Sequence, residues 1–260
     1  MPEGHVIHRA ARDQRPMLKG KRIAVTSPQG RFDAGAAMLD GRLCRAVEAF
    51  GKHLIYRFED ELALHIHLGL FGRIRTHKQP ATDPRGAVRV RLASETHIVD
   101  INGPNNCEVM DEAELASLIA RIGPDVLRDD ADPDLAFERI SASRTGIGLL
   151  LMDQSVIAGI GNIYRTEILW RQGIHPATPG RDISRRIFKR IWADSVALLT
   201  LGMKKNAIIT VEGGTASKAR YGERVNIFAK TVCPACDGPV TTMTLAGRKA
   251  YACEACQPPA

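Results

Sequence analysis

Four cysteines near one end constrain this chain more than any other feature. They read Cys233-Pro-Ala-Cys236 and Cys253-Glu-Ala-Cys256, two C-x2-C pairs with 16 residues between them. Each pair lets a tight turn aim two thiolates at one point, and a hairpin between the pairs brings them together. That is the spacing of a zinc ribbon. With all four tetrahedral positions filled by protein, one structural Zn2+ is expected, without a position for an activated water. Free or disulfide-bonded thiols are the alternative. The start, MPEGHVIHRAARDQ, is polar and charged and does not read as a secretory signal, so disulfides are disfavoured. Cys44 and Cys107 stand alone and are expected to fill core or loop positions.

The hairpin text between the pairs is TTMTLAGRKAYAC. Its tip, Gly247-Arg248-Lys249, puts two cations on a turn, a good shape for a phosphate contact or simply two solvated charges. Charge elsewhere favours the first reading. The 260 residues carry a net +7, divided as +6 over residues 1–100, −7 over 101–140 and +8 over 141–260. Two basic blocks flanking an acidic one suit a polyanion partner held against the blocks. No apolar run approaches a membrane span. A cytoplasmic chain with no membrane partner is expected.

The length favours two domains. Residues 1–16 predict a helix with Val6, Ile7 and Ala10 on one face, stopped by Pro16. From 21 to 101 the text turns into short β-like runs: KRIAVTS, RLCRAVEAF, HLIYRF, LALHIHLG, GRIRTH, AVRVRLA and THIVDI. Turns rich in Gly, Pro and Asp separate them, which predicts an antiparallel sandwich or barrel. In AVRVRLA, Val88, Val90 and Leu92 alternate with Arg89 and Arg91, as in a half-buried strand. Helices are predicted near 111–122, 134–141, 146–157, 162–172 and 183–202, followed by the cysteine hairpin over 231–256. The boundaries read as 1–127 for a β domain, 128–142 for a connector around RDDADPD, 143–228 for a helical domain and 229–260 for the ribbon.

Two further texts carry chemistry. Pro2 would become the chain terminus on removal of Met1. A terminal secondary amine, with an ordinary pKa of about 7.7–8.0, can attack a sugar carbon and form an iminium electron sink. Glu3 beside it could move protons at the sugar ring. Taken alone, MPE is a common start. Lys52, in Gly51-Lys52-His53-Leu54, could reach a phosphate or be a surface lysine. The second text is LLLMDQSVIAGIGNIYRTEILWRQ over 149–172. Glycines at 159 and 161 allow close approach to a phosphate backbone, and free amides opening the next helix suit an anion. Asn162 is read at the helix cap. A purely structural helical hairpin is the alternative. His65 and His67, two apart on a strand, share a face; packed or surface histidines are favoured over metal ligands.

MPEGH, GKHL at 51–54, HLGLFG at 67–72, RIGPDVL at 121–127, the MDQSVIAGIGNIYRTEILW run and the four-Cys ribbon with its AGR tip occur in this order. Together they resemble the formamidopyrimidine-DNA glycosylase/endonuclease VIII family, over essentially the whole chain. The MPEGH start is more similar to the endonuclease VIII branch, actinobacterial members above all.

The resemblance implies an α+β protein of two domains: an N-terminal β-sandwich with a leading helix, then a helix–two-turn–helix domain with a four-Cys zinc ribbon. It implies a monomeric bifunctional DNA glycosylase/AP lyase acting on double-stranded DNA with damaged bases or abasic sites, oxidised pyrimidines favoured over purines. A ribbon protein that binds DNA without catalysis is the reading from another class. Carried over, Pro2 is the Schiff-base nucleophile and Glu3 the general acid and base. Lys52 serves acid catalysis and phosphate contact. Asn162 and Arg248 grip phosphates, with Arg248 also tied to δ-elimination, and Arg121 contacts DNA. Leu70 and Phe71 fill the gap left by the everted base. Gly69 stands where some relatives carry a glutamine, which alters contacts to the orphaned base. Residues 211–222, VEGGTASKARYG, occupy the place of a Gly-rich, mobile lesion-facing loop.

Overall fold

The alternation in the N-terminal text becomes two antiparallel sheets. In the computed structural model, which describes residues 2–80, 83–214 and 221–259, the chain divides into two units at Arg121/Ile122. The first unit opens with helix α1 (Gly4–Leu18), then β1 (Ala24–Thr26), α2 (Asp33–Leu39), β2 (Cys44–Phe50), β3 (His53–Phe58), β4 (Ala63–His67), β5 (Arg73–Lys78), β6 (Val88–Ala93), β7 (His97–Asn102), β8 (Asn106–Met110) and α3 (Glu112–Ala120). One sheet has the order β1-β6-β7-β5 and the other β2-β3-β4-β8.

Their inner faces share one core. Val90 and Leu92 of β6 and Val99 and Ile101 of β7 meet Leu54 and Tyr56 of β3 and Leu64 and Ile66 of β4, all fully buried. Each such aliphatic side chain stabilises the fold by about 1.5–3 kcal/mol. Helix α1 packs on β2 and β3, where the Tyr56 hydroxyl donates to Gln14 Oε1 at 2.5 Å. On the other face of β6 and β7, Arg91 makes a bidentate pair with Asp100 at 2.7 and 2.8 Å. Cys44 and Cys107 both belong to this core region, and burial pushes each thiol up to about 12, so they are unreactive packing residues.

The second unit is helical. It contains α4 (Pro133–Ser141), α5 (Ile147–Leu150), α6 (Asn162–Arg171) and α7 (Arg185–Lys205), then a hairpin of β9 (Thr241–Leu245) and β10 (Arg248–Ala252). Asp132 caps α4 by accepting from the amides of Asp134 and Leu135, with Pro133 at the first helical position. Ser184 caps α7, and Asn206 ends it in the left-handed region at φ 53°. Ala136, Ile140, Ile157, Tyr164, Ile168, Ile191 and Leu199 form its core, so part of the stretch read as a connector lies inside the second core.

Several local expectations are corrected. Helix α1 runs past Pro16 to Leu18; proline removes only its own amide, and fully buried Leu18 anchors the last turn in the core. The helix expected over 146–157 is four residues long. Asp153 Oδ1 takes the amide of Ser155 at 2.9 Å and its hydroxyl at 2.6 Å, a local turn that replaces the helical ladder. Helix α2 and strand β8 were not expected at all. Asn162 is the first helical residue, and Gly161, with extended φ and ψ, is the cap.

Candidate functional site

The predicted residues fall into two groups, one in each unit. In the first unit, Pro2 is partly exposed, and Glu3 is fully buried. Glu3 holds the N-cap position of α1 with extended backbone, and its carbonyl accepts from the Val6 amide at 2.9 Å. Its side chain makes no capping bond to that helix. His5, one turn in, is also buried. Burial first, and then the positive chain terminus, lower its pKa to about 4.

Lys52 owes its position to a two-residue turn. Phe50 pairs with His53 across β2 and β3, leaving Gly51 and Lys52 as the connection. Gly51 takes φ 57°, a positive value where glycine is at ease, and this hairpin geometry follows strand twist. Lys52 and Arg121, the C-cap residue of α3, are both close enough to His53 to oppose its protonation. Burial lowers His53 first, then His65, His67, Lys52 and Arg121 add to the effect, and its pKa falls to about 3.

Leu70 and Phe71 sit at the tip between β4 and β5. Gly69 adopts φ 63°, and the Gly72 amide closes the turn on the Leu68 carbonyl at 3.0 Å. A Cβ on Gly72 would lie 2.3 Å from that carbonyl oxygen, so glycine is obligatory there. The tight turn pushes two apolar side chains outward: Leu70 is 53% exposed and Phe71 86%. Exposure of a large aromatic at a rigid tip has no packing benefit and suits contact with a partner.

In the second unit the MDQ text acts as a brace. Gln154 donates to the carbonyls of Met152 and Ile160 and accepts from the Gly159 amide at 3.1 Å, holding the turn that leads into α6. Gly159 has φ 93°, and its neighbour Ala158 pairs with Asp125 in a parallel bridge. Asn162 then donates through Nδ2 to the Lys249 carbonyl at 3.0 Å, which brings it to the hairpin that carries Arg248. Arg248 and Lys249 are exposed beside the turn formed by Ala246 and Gly247, both with positive φ.

Two residues of this group lie within the MDQSVIAGIGNIYRTEILW run, but their text predicts no role for them. Arg165, 1% exposed, donates to the Gly148 carbonyl at 3.1 Å, to the Lys249 carbonyl at 3.3 Å and to Asn162 Oδ1. It ties α5, the start of α6 and the hairpin together. Glu167, fully buried, accepts from the Thr210 hydroxyl at 2.6 Å and from the amides of Asn226, Ile227 and Phe228. It fixes both ends of the segment spanning 211–225. Of the loop expected over 211–222, residues 215–220 lie outside the described residues.

The cysteine pairs converge. The four Sγ atoms lie within 4.8 Å of one another, with Cys233–Cys256 at 3.8 Å and Cys236–Cys253 at 3.5 Å. Zn–S bonds of about 2.3 Å in a tetrahedron put sulfurs about 3.8 Å apart, so the group fits Zn2+. Trp170 of α6 donates its indole N–H to Cys233 Sγ at 3.4 Å, and Gln257 joins the Cys253 amide to the Ile174 carbonyl. The ribbon is therefore docked on the end of α6. No helix among the described residues is long and apolar enough to cross a membrane.

Comparison with known proteins places these features together. Residues 1–106 match the model of the formamidopyrimidine-DNA glycosylase N-terminal domain, and residues 122–212 match that of the formamidopyrimidine-DNA glycosylase H2TH domain. Endonuclease 8 1 of Mycobacterium tuberculosis is 40% identical, the match covering 99% of this chain and 100% of that protein. Formamidopyrimidine-DNA glycosylase of Chloroflexus aggregans is 28% identical over 99% of this chain and 98% of its own. The fold matches a crystal structure of Lactococcus lactis Fpg in complex with DNA containing N7-benzyl-Fapy-dG, with a TM-score of 0.80, 22% identity and coverage of 99% and 100%. The two matched domains, the four-Cys cluster and a likeness running through nearly the whole length lead to one conclusion: the chain belongs to the formamidopyrimidine-DNA glycosylase/endonuclease VIII family.

Proposed function

We propose that this protein is a DNA glycosylase and AP lyase that removes oxidised bases from duplex DNA, pyrimidines in preference to purines. The observation that carries the reading is the fully buried Glu3 held beside Pro2 at the start of α1. A nucleophilic amine next to a sheltered carboxyl is what sugar-ring chemistry at C1′ requires.

With Met1 removed, the Pro2 nitrogen uses its lone pair to attack C1′ of the damaged nucleotide. The glycosidic bond breaks, and the base leaves with the electron pair of that bond and takes up the proton that the Pro2 nitrogen sheds. Glu3 delivers a proton to the ring oxygen as the sugar opens, leaving an iminium on C1′. Removal of a C2′ proton, with Glu3 as acceptor, then expels the 3′ phosphate; a second elimination, with loss of the C4′ proton to solvent, expels the 5′ phosphate, and water hydrolyses the iminium to free Pro2. Lys52 and Arg248 hold phosphates in this scheme, with Arg248 assisting the second elimination. Asn162 and Arg121 add phosphate grip. Leu70 and Phe71 occupy the space vacated by the everted base, replacing its stacking. Zinc, bound by Cys233, Cys236, Cys253 and Cys256, supports the hairpin and takes no part in the chemistry.

The preference for pyrimidines rests on likeness to proteins named Endonuclease 8, at 40% identity against 28% for the formamidopyrimidine-DNA glycosylase of Chloroflexus aggregans. Borohydride reduction tests the mechanism. Active protein with an abasic-site duplex should yield a covalent adduct, and Pro2→Gly should lose most of it. Gel-shift binding with no trapped adduct would identify a non-catalytic DNA-binding protein instead. A panel of lesion duplexes at one salt concentration separates pyrimidine from purine preference.

A further inference from the structure

On the outer face of the β2-β3-β4-β8 sheet, three side chains form a hydrogen-bonded line. His53 Nδ1 lies 2.8 Å from His65 Nε2, and His65 Nδ1 lies 2.9 Å from Glu108 Oε1. The sheet register builds this line. His65 sits opposite Glu108 on β8 and one diagonal step from His53, which pairs with His67. The His53 and His65 rings are stacked, with centroids 5.0 Å apart.

Chemistry fixes the direction of the line. A carboxylate only accepts, so His65 carries its proton on Nδ1 and offers a bare Nε2. His53 must then carry a proton on Nδ1 to donate to it. The remaining nitrogen, His53 Nε2, is left as the basic end of the line. Adding one proton there creates an imidazolium without breaking either hydrogen bond, and Glu108 stabilises the new charge through His65.

The groups around His53 decide when that happens. Lys52 precedes it in the turn, Arg121 approaches from the end of α3, and His67 and His65 face it from β4. Glu108 lies beyond His65, with Asn106 donating to it at 3.4 Å. The acids Glu48 and Glu112 are already paired with Arg57. Without a polyanion, burial first and then the neighbouring His65, His67, Lys52 and Arg121 keep His53 neutral. A phosphate held by Lys52 and Arg121 would offset the cationic part of that effect and place a negative charge beside the ring.

We propose that His53 is a further phosphate-binding residue that takes up a proton when DNA docks, with His65 and Glu108 as positioning residues that fix its tautomer and support its charge. This inference rests on the DNA reading of the Lys52 face. It adds that binding is proton-linked.

The test is calorimetric binding of a duplex carrying a tetrahydrofuran abasic analogue, at fixed salt, in buffers of different ionisation heat. Net proton uptake should appear at pH 6 and affinity should rise from pH 8 to pH 6; a full return of His53 to its ordinary range sets the ceiling, about three-quarters of a proton and about fourfold. His53→Asn should abolish most of the uptake. Glu108→Gln, which keeps a hydrogen-bonding side chain but removes the charge, should reduce it by at least half. With 13C-labelled histidine, the His53 ring signal should move to the imidazolium position on adding duplex to the wild-type protein, a reading that needs no variant to fold. Binding without proton uptake, uptake unchanged in His53→Asn, or an unmoved His53 signal would overturn the inference and leave the DNA reading intact. Failure to bind the duplex at either pH would remove both.

Discussion

Glu167 and Asn226 are joined twice through one oxygen: Glu167 Oε2 accepts from the Asn226 backbone amide at 2.7 Å and from its side-chain Nδ2 at 2.9 Å. The same carboxylate takes the Thr210 hydroxyl, 16 residues before Asn226. One helical side chain therefore clamps both ends of the segment expected to face the lesion. Replacing it leaves several buried donors without an acceptor. Glu167→Ala should destabilise the protein by roughly 3–5 kcal/mol, read as a lower urea midpoint. In a variant still folded at assay temperature, excision of intact damaged bases should fall more than cleavage of preformed abasic sites.

Arg165 should not tolerate lysine. Its planar guanidinium reaches the Gly148 and Lys249 carbonyls and Asn162 at once, which a single ammonium cannot reproduce. Arg165→Lys should cost about 2 kcal/mol and weaken DNA binding, because the hairpin bearing Arg248 loses its tie to α6. Thermal melting and gel-shift titration check the two effects.

Phe71→Ala should separate stability from function in the opposite way. The ring is 86% exposed, so unfolding should change by no more than about 0.5 kcal/mol. Incision of lesion-containing duplex should fall at least tenfold. An unchanged rate would remove Phe71 from the role of gap filler.

Zinc removal should act on the ribbon first. Mass spectrometry under native conditions should find one zinc per chain. Chelation should weaken DNA binding and release the Trp170 indole from Cys233, seen as a change in tryptophan emission. Cys253→Ser should mimic it. Full DNA affinity in verified zinc-free protein would show that the hairpin holds its position without the metal.

The first unit should lose stability in acid. His5 is lowered from 6.5 to about 4 by burial and the positive chain terminus, and His53 from 6.5 to about 3. Unfolded histidines take up protons below about 6.5, whereas the folded ones resist until much lower pH. Their contribution is therefore complete above pH 6.5 and declines as pH falls toward 4 for His5 and 3 for His53. Urea midpoints measured from pH 7.5 to 4 should drop, and His5→Asn should flatten the curve.

What the sequence determined by itself was whatever repeats at short range or carries its own spacing. The four cysteines announce a metal tetrahedron because their geometry is local to two turns and one hairpin. Strands such as Val88–Ala93 are legible because burial alternates with period two. Leu70, Phe71 and Lys52 are legible only through the family resemblance, since their local text alone fits ordinary turn and surface residues. Pro16 and the 146–157 run misled because local propensity yields to burial of Leu18 in one case and to the Asp153 turn in the other. Only the tertiary structure decided the partners of isolated polar residues. Arg165 finds the Lys249 carbonyl 84 residues away, Glu167 finds Phe228 61 residues away, and His65 finds Glu108 43 residues away. A hydrogen bond between distant strands or helices leaves no periodic trace, since each end is a single residue whose type is common. Its existence depends on sheet register and helix docking, which emerge only when the apolar faces have packed.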